Sequence, residues 1–191
     1  RVGQGVVVGL PGYPASCYLC AETLVRPCLA RMLGQDEVAE HVTARLHRKL
    51  PSRVGMAELV RVHLARLRDR WIAVPGRSGA GLVSSLFASD GILTVPALSE
   101  GLPEGAEAPV QLLRSRAAVE RNLLVIGSHD PALDVVREEL ARAGAPVGLA
   151  VSHVGSFGGL ASLKRAECHA TFLHLLEDDG TYNVSYLKRA S

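Results

Sequence analysis

Three short segments of this 191-residue chain combine glycine with hydroxyl or imidazole side chains where a strand is predicted to end and a helix to begin. At such turns, backbone N–H groups and serine hydroxyls can surround a bound anion. The segments are residues 9–16 (GLPGYPAS), residues 127–130 (GSHD) and residues 152–159 (SHVGSFGG). They predict the binding of small anions.

The first segment contains two prolines and two glycines, which predict a rigid turn at the start of a helix. Ser16 lies at the end of this turn, and its hydroxyl can donate a hydrogen bond to an oxyanion. A serine at this position can also act as an ordinary helix cap. Both interpretations of Ser16 stay open on the sequence alone.

The second and third segments offer several polar side chains at the ends of two predicted strands. Glycine in the third segment permits close approach of the backbone to a bound group. Asp130 precedes Pro131, so its alternative role is that of a helix cap. Adjacency of serine, histidine and aspartate in sequence is not the geometry of a catalytic triad, so no nucleophile is assigned. The predicted ligand contacts are Ser128, His129, Asp130, Ser156, Gly158 and Gly159.

Other reactive side chains are interpreted as structural. The Cys17–Cys20 pair has C-x-x-C spacing, but no second pair or spaced histidines completes a zinc site. His169 and His174 are five residues apart, which fits neither a helical zinc pair nor one face of a strand. The basic residues at positions 45–53 could touch a phosphate, but they are interpreted as the solvated face of a strand.

Composition narrows the possible partners. The chain has 21 Lys+Arg against 19 Asp+Glu, so it lacks the basic excess expected of a nucleic-acid-binding protein. Its longest apolar runs are far shorter than the roughly 20 residues of a membrane-spanning helix. The four cysteines are too few for a disulfide framework, and no signal peptide is recognised, which predicts a cytoplasmic protein. The chain begins without methionine, so it is interpreted as part of something longer.

Apolar periodicity predicts the elements that position these segments. Residues 5–10 are expected to form a buried strand, and residues 15–33 a helix that stops at Gly34. Residues 36–113 change to strand-like alternation, with a half-buried hairpin around residues 61–74. The Gly/Ser-rich residues 76–91 are expected to form a loop leading into a short helix.

After a charged connector at residues 114–121, strand and helix patterns alternate. Strands are predicted at residues 123–126, 146–151 and 168–173, and helices at residues 132–143 and 160–165. Strand, helix, strand, helix, strand is the pattern of a parallel α/β sheet. In such a sheet the strand ends carrying Ser128 and Ser156 meet at one edge.

The string at residues 9–16, the helix with Leu24-Val25-Arg26-Pro27 and the Ser84-Ser85-Leu86 loop before Asp90-Gly91 resemble the C-terminal part of the molybdopterin molybdenumtransferase family, of the gephyrin E-domain type. The resemblance covers about residues 1–113. It implies a homodimer, in which the β-rich unit lies across the cleft that binds molybdopterin and molybdate. The residues it implies for this site are Pro11, Gly12, Pro14, Ser16, Gly79, Gly81, Ser84 and Ser85.

Residues from 120 onward resemble the periplasmic-binding-protein-like domain fused behind some members of that family. This second resemblance implies a binding site for a small anion or a pterin, with molybdate and tungstate as candidates, at the predicted contacts between Ser128 and Gly159. Such a fused domain is expected to be cytoplasmic.

Together these observations predict a fold of the α/β plus β class. Residues 1–35 are expected to end an α/β subdomain, and residues 36–114 to form a small β-barrel-like subdomain. Residues 120–191 are expected to form part of a parallel α/β, periplasmic-binding-protein-like lobe. Two residues depart from the family pattern: Tyr13 replaces a common asparagine, and Ala80 replaces a serine.

The functional expectation is molybdenum cofactor biosynthesis, in which the parent enzyme inserts molybdate into adenylylated molybdopterin. The family's acidic Mg²⁺-binding motifs lie upstream of residue 1, so this chain alone is not expected to catalyse the reaction. One alternative is a non-catalytic module that binds an oxyanion or a pterin. Another is a purely structural dimerisation unit.

Overall fold

The computed structural model describes residues 5–35, 39–76 and 89–189. Within them the chain combines a helical segment, a closed five-stranded barrel and a parallel α/β lobe, which confirms the predicted fold class. The predicted site residues Gly79, Gly81, Ser84 and Ser85, and most of the predicted loop at residues 76–91, lie outside the described residues.

The predicted helix at residues 15–33 is confirmed, with an irregular middle. It consists of α1 (Pro14–Cys20), a π-helical segment (Ala21–Val25) and α2 (Arg26–Met32). Pro27 has no N–H to donate to the carbonyl of Thr23, and its ring crowds that carbonyl. A wider turn just before a proline accommodates this loss.

The predicted buried strand at residues 5–10 is wrong. Residues 6–10 form no regular secondary structure, and Val6, Val7 and Val8 are 61%, 69% and 53% exposed. An apolar run becomes a buried strand only where a neighbouring strand and a packed layer cover it. No described strand pairs with residues 6–10.

In the described part of residues 36–113, the predicted β-rich unit forms a closed barrel. Its strand order is β1-β4-β3-β5-β7; β1 and β4 are parallel, and the other neighbours are antiparallel. The short strands β2 and β6 pair separately. The strands are β1 (His41–Leu46), β2 (Leu50–Pro51), β3 (Glu58–Leu67), β4 (Arg70–Pro75), β5 (Gly91–Val95), β6 (Gly101–Leu102) and β7 (Glu107–Leu112).

Alternate residues of these strands fill the barrel interior, where Leu46, Leu64 and Leu93 are fully or almost fully buried. The predicted hairpin is β3–β4, closed by Arg68-Asp69, with Arg68 at a φ of 54°. Gly91 starts β5 between β3 and β7, where a Cβ atom would lie 2.5 Å from Cγ1 of Val110. Glycine therefore permits β7 to approach closely enough for the barrel to close.

The charged connector contains a short helix, α3 (Arg116–Val119), that packs onto the barrel. Val119 is fully buried in the barrel core. The buried carboxylate of Asp90 accepts hydrogen bonds from the backbone N–H of Leu64 at 3.0 Å and from Arg114 at 2.8 Å. The connector is thus fixed to the barrel by apolar packing and by a buried carboxylate.

The remaining chain forms the predicted parallel α/β lobe. Its elements are β8 (Leu123–Gly127), α4 (Ala132–Arg142), β9 (Leu149–His153), α5 (Gly155–Lys164) and α6 (Val184–Lys188). β8 and β9 are parallel, with Leu124 opposite Ala150. β9 begins at Leu149, three residues later than the strand predicted at residues 146–151. α5 begins at Gly155, inside the segment 152–159 that was predicted to be a glycine-rich turn.

The third predicted strand, at residues 168–173, is reduced to a single bridge. Ala170 pairs with Val125 in parallel on the side of β8 away from β9, and its carbonyl accepts from the N–H of Ile126 at 3.1 Å. The segment thus occupies the position of a third strand without forming a full ladder.

The barrel and the lobe share one apolar layer. Ala65, Ile72 and Val74, on the outer face of β3–β4, pack with buried residues of the lobe, namely Leu124, Ile126, Ala150 and Cys168. The hairpin is consequently buried on both faces along much of β4. In the described part of the chain, no helix is long and apolar enough to cross a membrane.

Candidate functional sites

A cavity of about 540 Å³ lies between α1 and the barrel. Its lining includes Ser16, from the first predicted segment, and Gly76, which follows β4. Ala15 and Leu19 also line it from α1. The rest of the lining comes from the strands and the turn after β1, namely Arg48, Lys49, Leu50, Pro51, Glu58, Leu59, Val60, Arg61 and Pro75. We refer to it as the helix–barrel cavity.

Cations outnumber anions in the helix–barrel cavity. Arg48, Lys49 and Arg61 line it, against the single carboxylate of Glu58, which accepts a hydrogen bond from Ser52 at 2.7 Å. Arg48 donates to the carbonyl of Pro75 at 2.9 Å, which holds its guanidinium at the wall. Burial lowers the pKa of Arg61, but a guanidinium starts so far above neutrality that it stays charged. The cavity therefore suits an anionic ligand.

The basic run at residues 45–53 does more than form a solvated face. Arg48 and Lys49 reach the helix–barrel cavity. His47 is only 9% exposed, so the solvated-face interpretation is wrong for this residue. Burial lowers the pKa of His47, opposed by the charges of Glu167 and Glu104. Periodicity alone missed this, because the lobe covers part of the outer surface of the barrel.

The residues predicted around the first turn differ in whether they reach the helix–barrel cavity. Ser16 lines the cavity, whereas Pro11, Gly12 and Pro14 are exposed. The N-cap of α1 is Tyr13, which makes no side-chain cap hydrogen bond, and Ser16 lies inside the helix. The capping interpretation of Ser16 is therefore wrong, and its hydroxyl is placed at the cavity wall.

A second cluster lies at the carboxyl edge of β8 and β9, where the sequence predicted that two loops would meet. The rings of His129 and His153 are 4.6 Å apart between centroids. Ser156, in the first turn of α5, accepts a hydrogen bond from the backbone N–H of His174 at 3.1 Å. The Nε2 atom of His174 lies 3.5 Å from the Oγ of Ser128. We refer to these five residues as the His–Ser cluster.

His153 lies in the third predicted segment but is not among the predicted contacts, and His174 was interpreted as structural. His174 follows directly after residues 168–173, the third predicted strand. The rule applied to the first two strands, that polar side chains at carboxyl ends share one edge, also applies to the third. Extending that rule would have identified His174. His169, by contrast, accepts a hydrogen bond from the N–H of Leu124 at 2.9 Å and has a structural role.

The imidazole of His153 is electrostatically unfavourable to protonate. Burial lowers its pKa most, and the neighbouring His129 lowers it further. Asp134 and a hydrogen bond with the Ser128 backbone raise it, and Arg137 lowers it. A bound anion would offset the repulsion between the two imidazoles, so anion binding and proton uptake are expected to be coupled.

Other predicted contacts in the lobe have packing or capping roles. The Oδ1 of Asp130 accepts from the N–H of Ala132 at 2.8 Å, which fits its interpretation as a cap. A Cβ on Gly159 would collide with Thr171 and Gly127, so this glycine permits α5 to pack closely on β8. A Cβ on Gly158 would lie 2.8 Å from Val154.

The geometry of the two sites supports ligand binding. The Ser128–His174 distance is at the long limit for a hydrogen bond, so the contact is weak. Across residues 5–35, 39–76 and 89–189, no group of three or more His, Cys, Asp or Glu side chains could hold a metal ion.

Comparison with known families confirms the resemblance of both parts. Residues 43–113 match the model of the MoeA C-terminal region (domain IV). Residues 137–191 match the model of the PBP superfamily domain. No curated protein matches the chain.

Similar solved structures cover only part of this chain. The molybdopterin biosynthesis MoeA protein from Pyrococcus horikoshii OT3 is 32% identical over 53% of the chain, with a TM-score of 0.47. A molybdenum cofactor biosynthesis protein from Pyrococcus furiosus is 35% identical over 53% of the chain, also with a TM-score of 0.47. The aligned part spans 26% and 36%, respectively, of the length of these two proteins.

Proposed function

We propose that this chain is the carboxyl-terminal part of a MoeA-type enzyme of molybdenum cofactor biosynthesis, extended by an anion-binding lobe. The parent enzyme would insert molybdate into adenylylated molybdopterin, and would hold Mg²⁺ through residues outside this chain. The family match at residues 43–113 supports the assignment to this biosynthesis, since that model describes one region of a larger protein.

The observation that carries the proposal is the position of Ser16 in the helix–barrel cavity beside Arg48 and Lys49. A hydroxyl and two cations can bind an oxyanion or a phosphate through charge-assisted hydrogen bonds. In this reaction the protein mainly has to position two anionic substrates, so electrostatic binding is the contribution expected of this region. Gly79, Gly81, Ser84 and Ser85 are proposed to contribute from the segment after Gly76.

Binding is tested by calorimetric titration of the whole chain with molybdate and tungstate, with sulfate as the competitor. Ser16→Ala removes the hydroxyl at the helix–barrel cavity, and Ser115→Ala, on an exposed residue that makes no cap hydrogen bond, is the matched control. Loss of saturable binding in Ser16→Ala alone supports the transferase-type site. A folded chain whose molybdate affinity does not change in Ser16→Ala contradicts it.

A second candidate function is that of a non-catalytic module that binds an oxyanion or a pterin. It is favoured by the His–Ser cluster, in which the Ser128 hydroxyl lies near the His174 ring, Ser156 accepts from the His174 backbone, and the rings of His129 and His153 are in contact. In the titration above, loss of molybdate binding in Ser156→Ala but not in Ser16→Ala would favour this function. The remaining predicted contacts, Asp130, Gly158 and Gly159, are proposed to support the same site.

The parent is also proposed to act as a cytoplasmic homodimer, in which the barrel of one subunit lies across the substrate cleft of its partner. Light scattering of the chain measures its mass in solution. A mass twice that of the 20.3 kDa chain is expected. A monomer at all concentrations would contradict the proposal that this region supplies the dimer contact.

A further inference from the structure

A short loop follows His174 and returns the chain to it. Residues 175–183 fold back on themselves, and an antiparallel bridge joins Leu176 to Tyr182 across the loop. The loop ends at Asn183, immediately before α6. Its fold therefore brings Asn183 back against the backbone on either side of His174. We refer to residues 175–183 as the return loop.

Asn183 makes three hydrogen bonds to the two residues that flank His174. Its Nδ2 donates to the carbonyl of Leu173 at 3.2 Å, and its Oδ1 accepts from the N–H of Leu175 at 2.8 Å. Its own backbone N–H donates to the carbonyl of Leu175 at 2.9 Å. The N–H of His174 itself donates to the Oγ of Ser156 at 3.1 Å. The backbone is thus held before, at and after His174.

The side chain of Asn183 gives up its usual role in order to make these contacts. Asn183 is the N-cap of α6, a position at which an asparagine side chain normally accepts a hydrogen bond from the first turn of the helix. In α6 the N–H of Ser185 donates instead to the Oε1 of Glu177 at 2.6 Å. Asn183 also has a φ of 70°, in the left-handed region that asparagine tolerates better than most residues. Its side chain is therefore committed to the backbone around His174.

The imidazole of His174 is accessible to a ligand. His174 is exposed, whereas the next residue, Leu175, is buried. The Nε2 of His174 lies 3.5 Å from the Oγ of the buried Ser128. The exposed rings of His129 and His153 lie at the same edge of the lobe. An anion bound at this edge can therefore contact the imidazole of His174 directly.

An exposed side chain on a loop loses conformational freedom when it binds a ligand, and this loss lowers the affinity. A backbone that already has the bound conformation avoids part of the loss. We propose that Asn183 is a positioning residue, which holds His174 ready to contact an oxyanion bound at the His–Ser cluster. This inference rests on the second candidate function given above.

The variant that tests this role is Asn183→Gly, because glycine keeps the left-handed conformation and removes only the side-chain contacts. Molybdate is titrated by calorimetry into the whole chain carrying Ser16→Ala, so that the helix–barrel cavity does not contribute. Asn183→Gly is expected to weaken molybdate binding by roughly two- to tenfold, the cost of ordering one side chain on binding. Thr181→Gly removes an exposed, neutral side chain from the same loop, so this matched control should leave the affinity unchanged.

A double substitution separates positioning from a general effect on the fold. His174→Ala is expected to weaken molybdate binding by roughly ten- to a hundredfold, as for a hydrogen bond to a charged group. If Asn183 acts through His174, adding Asn183→Gly to this variant should cause no further loss. A structural effect on the rest of the cluster would lower the affinity with or without His174, and would overturn the inference.

The free chain provides a second measurement, which does not depend on molybdate. The imidazole resonances of His174 in NMR spectra should shift in Asn183→Gly and stay unchanged in Thr181→Gly. Unchanged resonances in both variants would overturn the role of Asn183.

Failure of this inference and failure of the second candidate function are observed separately. A folded Ser16→Ala chain that does not bind molybdate contradicts the candidate function, and this inference with it. Molybdate binding that is unaffected by Asn183→Gly, or is weakened equally by Thr181→Gly, overturns the role of Asn183 alone.

Discussion

The barrel and the lobe differ in how the edges and faces of their sheets are covered. The barrel closes its five strands on themselves and buries its own apolar interior. The lobe has a two-stranded parallel sheet, and part of the layer that covers it comes from Ala65, Ile72 and Val74 of the barrel. The comparison indicates that the barrel can maintain its core by itself, whereas the lobe depends on the barrel.

The first test of this difference is a cavity in the barrel interior. Leu93 is fully buried in the barrel core, which contains no residue of the lobe. Leu93→Ala is expected to lower the free energy of unfolding by about 2–5 kcal/mol, from lost burial and an unfilled void. Denaturant titration measures the loss, and Leu98→Ala, at a position that is 93% exposed, should change it by less than about 0.5 kcal/mol.

A cavity in the shared layer tests the dependence of the lobe directly. Ile72→Ala removes side-chain atoms from the outer face of β4, which packs with Leu124 and Ile126. We expect a loss of about 2–4 kcal/mol, with faster amide hydrogen exchange in β8 and β9 than in β3 and β5. Uniform acceleration across both regions would contradict the dependence and would indicate one cooperative unit.

The sequence predicted most of the barrel but less of the lobe, for a physical reason. Alternation along β3 and β4 is a strong signal, because one face of each strand points into a closed core. Residues 5–10 are as apolar as a buried strand, but a strand needs a partner, and periodicity does not reveal whether one exists. The third strand predicted for the lobe is incomplete for a similar reason, since Ala170 alone forms a β-bridge with β8.

The candidate sites were predicted where one local rule applied and missed where distant parts meet. Polar residues after strands identified Ser128, His129 and Ser156, and a turn motif identified Ser16. A cavity of about 480 Å³ where the barrel meets the lobe combines side chains far apart in sequence, such as Asp90 and Arg137. No local pattern connects them, so only the folded chain reveals this cavity.

The helix–barrel cavity and the His–Ser cluster differ in how their charge responds to pH. Guanidinium and ammonium groups keep their charge between pH 6 and 8, whereas imidazole does not. The pKa of His153 is lowered by burial and by His129, so the free site gains charge only as the pH falls. A bound anion favours the protonated imidazole, so its affinity rises as the pH falls to and below the ordinary range of a histidine pKa.

The Ser16→Ala variant leaves the His–Ser cluster intact. Its molybdate affinity should therefore increase, for each unit by which the pH falls, by up to roughly tenfold for each imidazole that takes up a proton. In Ser156→Ala, which leaves the helix–barrel cavity intact, it should stay nearly constant. Calorimetry between pH 8 and 5 measures both. A flat profile in Ser16→Ala would show that the imidazoles do not contact the anion.

The smallest expected effect concerns the ion pairs between the barrel and the neighbouring connector. Arg66 of β3 donates to Glu120 at 2.6 Å, but the side chains are 43% and 32% exposed. Solvent screens such a pair, so Glu120→Gln should lower the free energy of unfolding by less than about 1 kcal/mol. Glu139→Gln, in the exposed Arg142–Glu139 pair, is the matched control for denaturant titration. A loss similar to that of Ile72→Ala would mean that charge, rather than the shared apolar layer, holds this junction together.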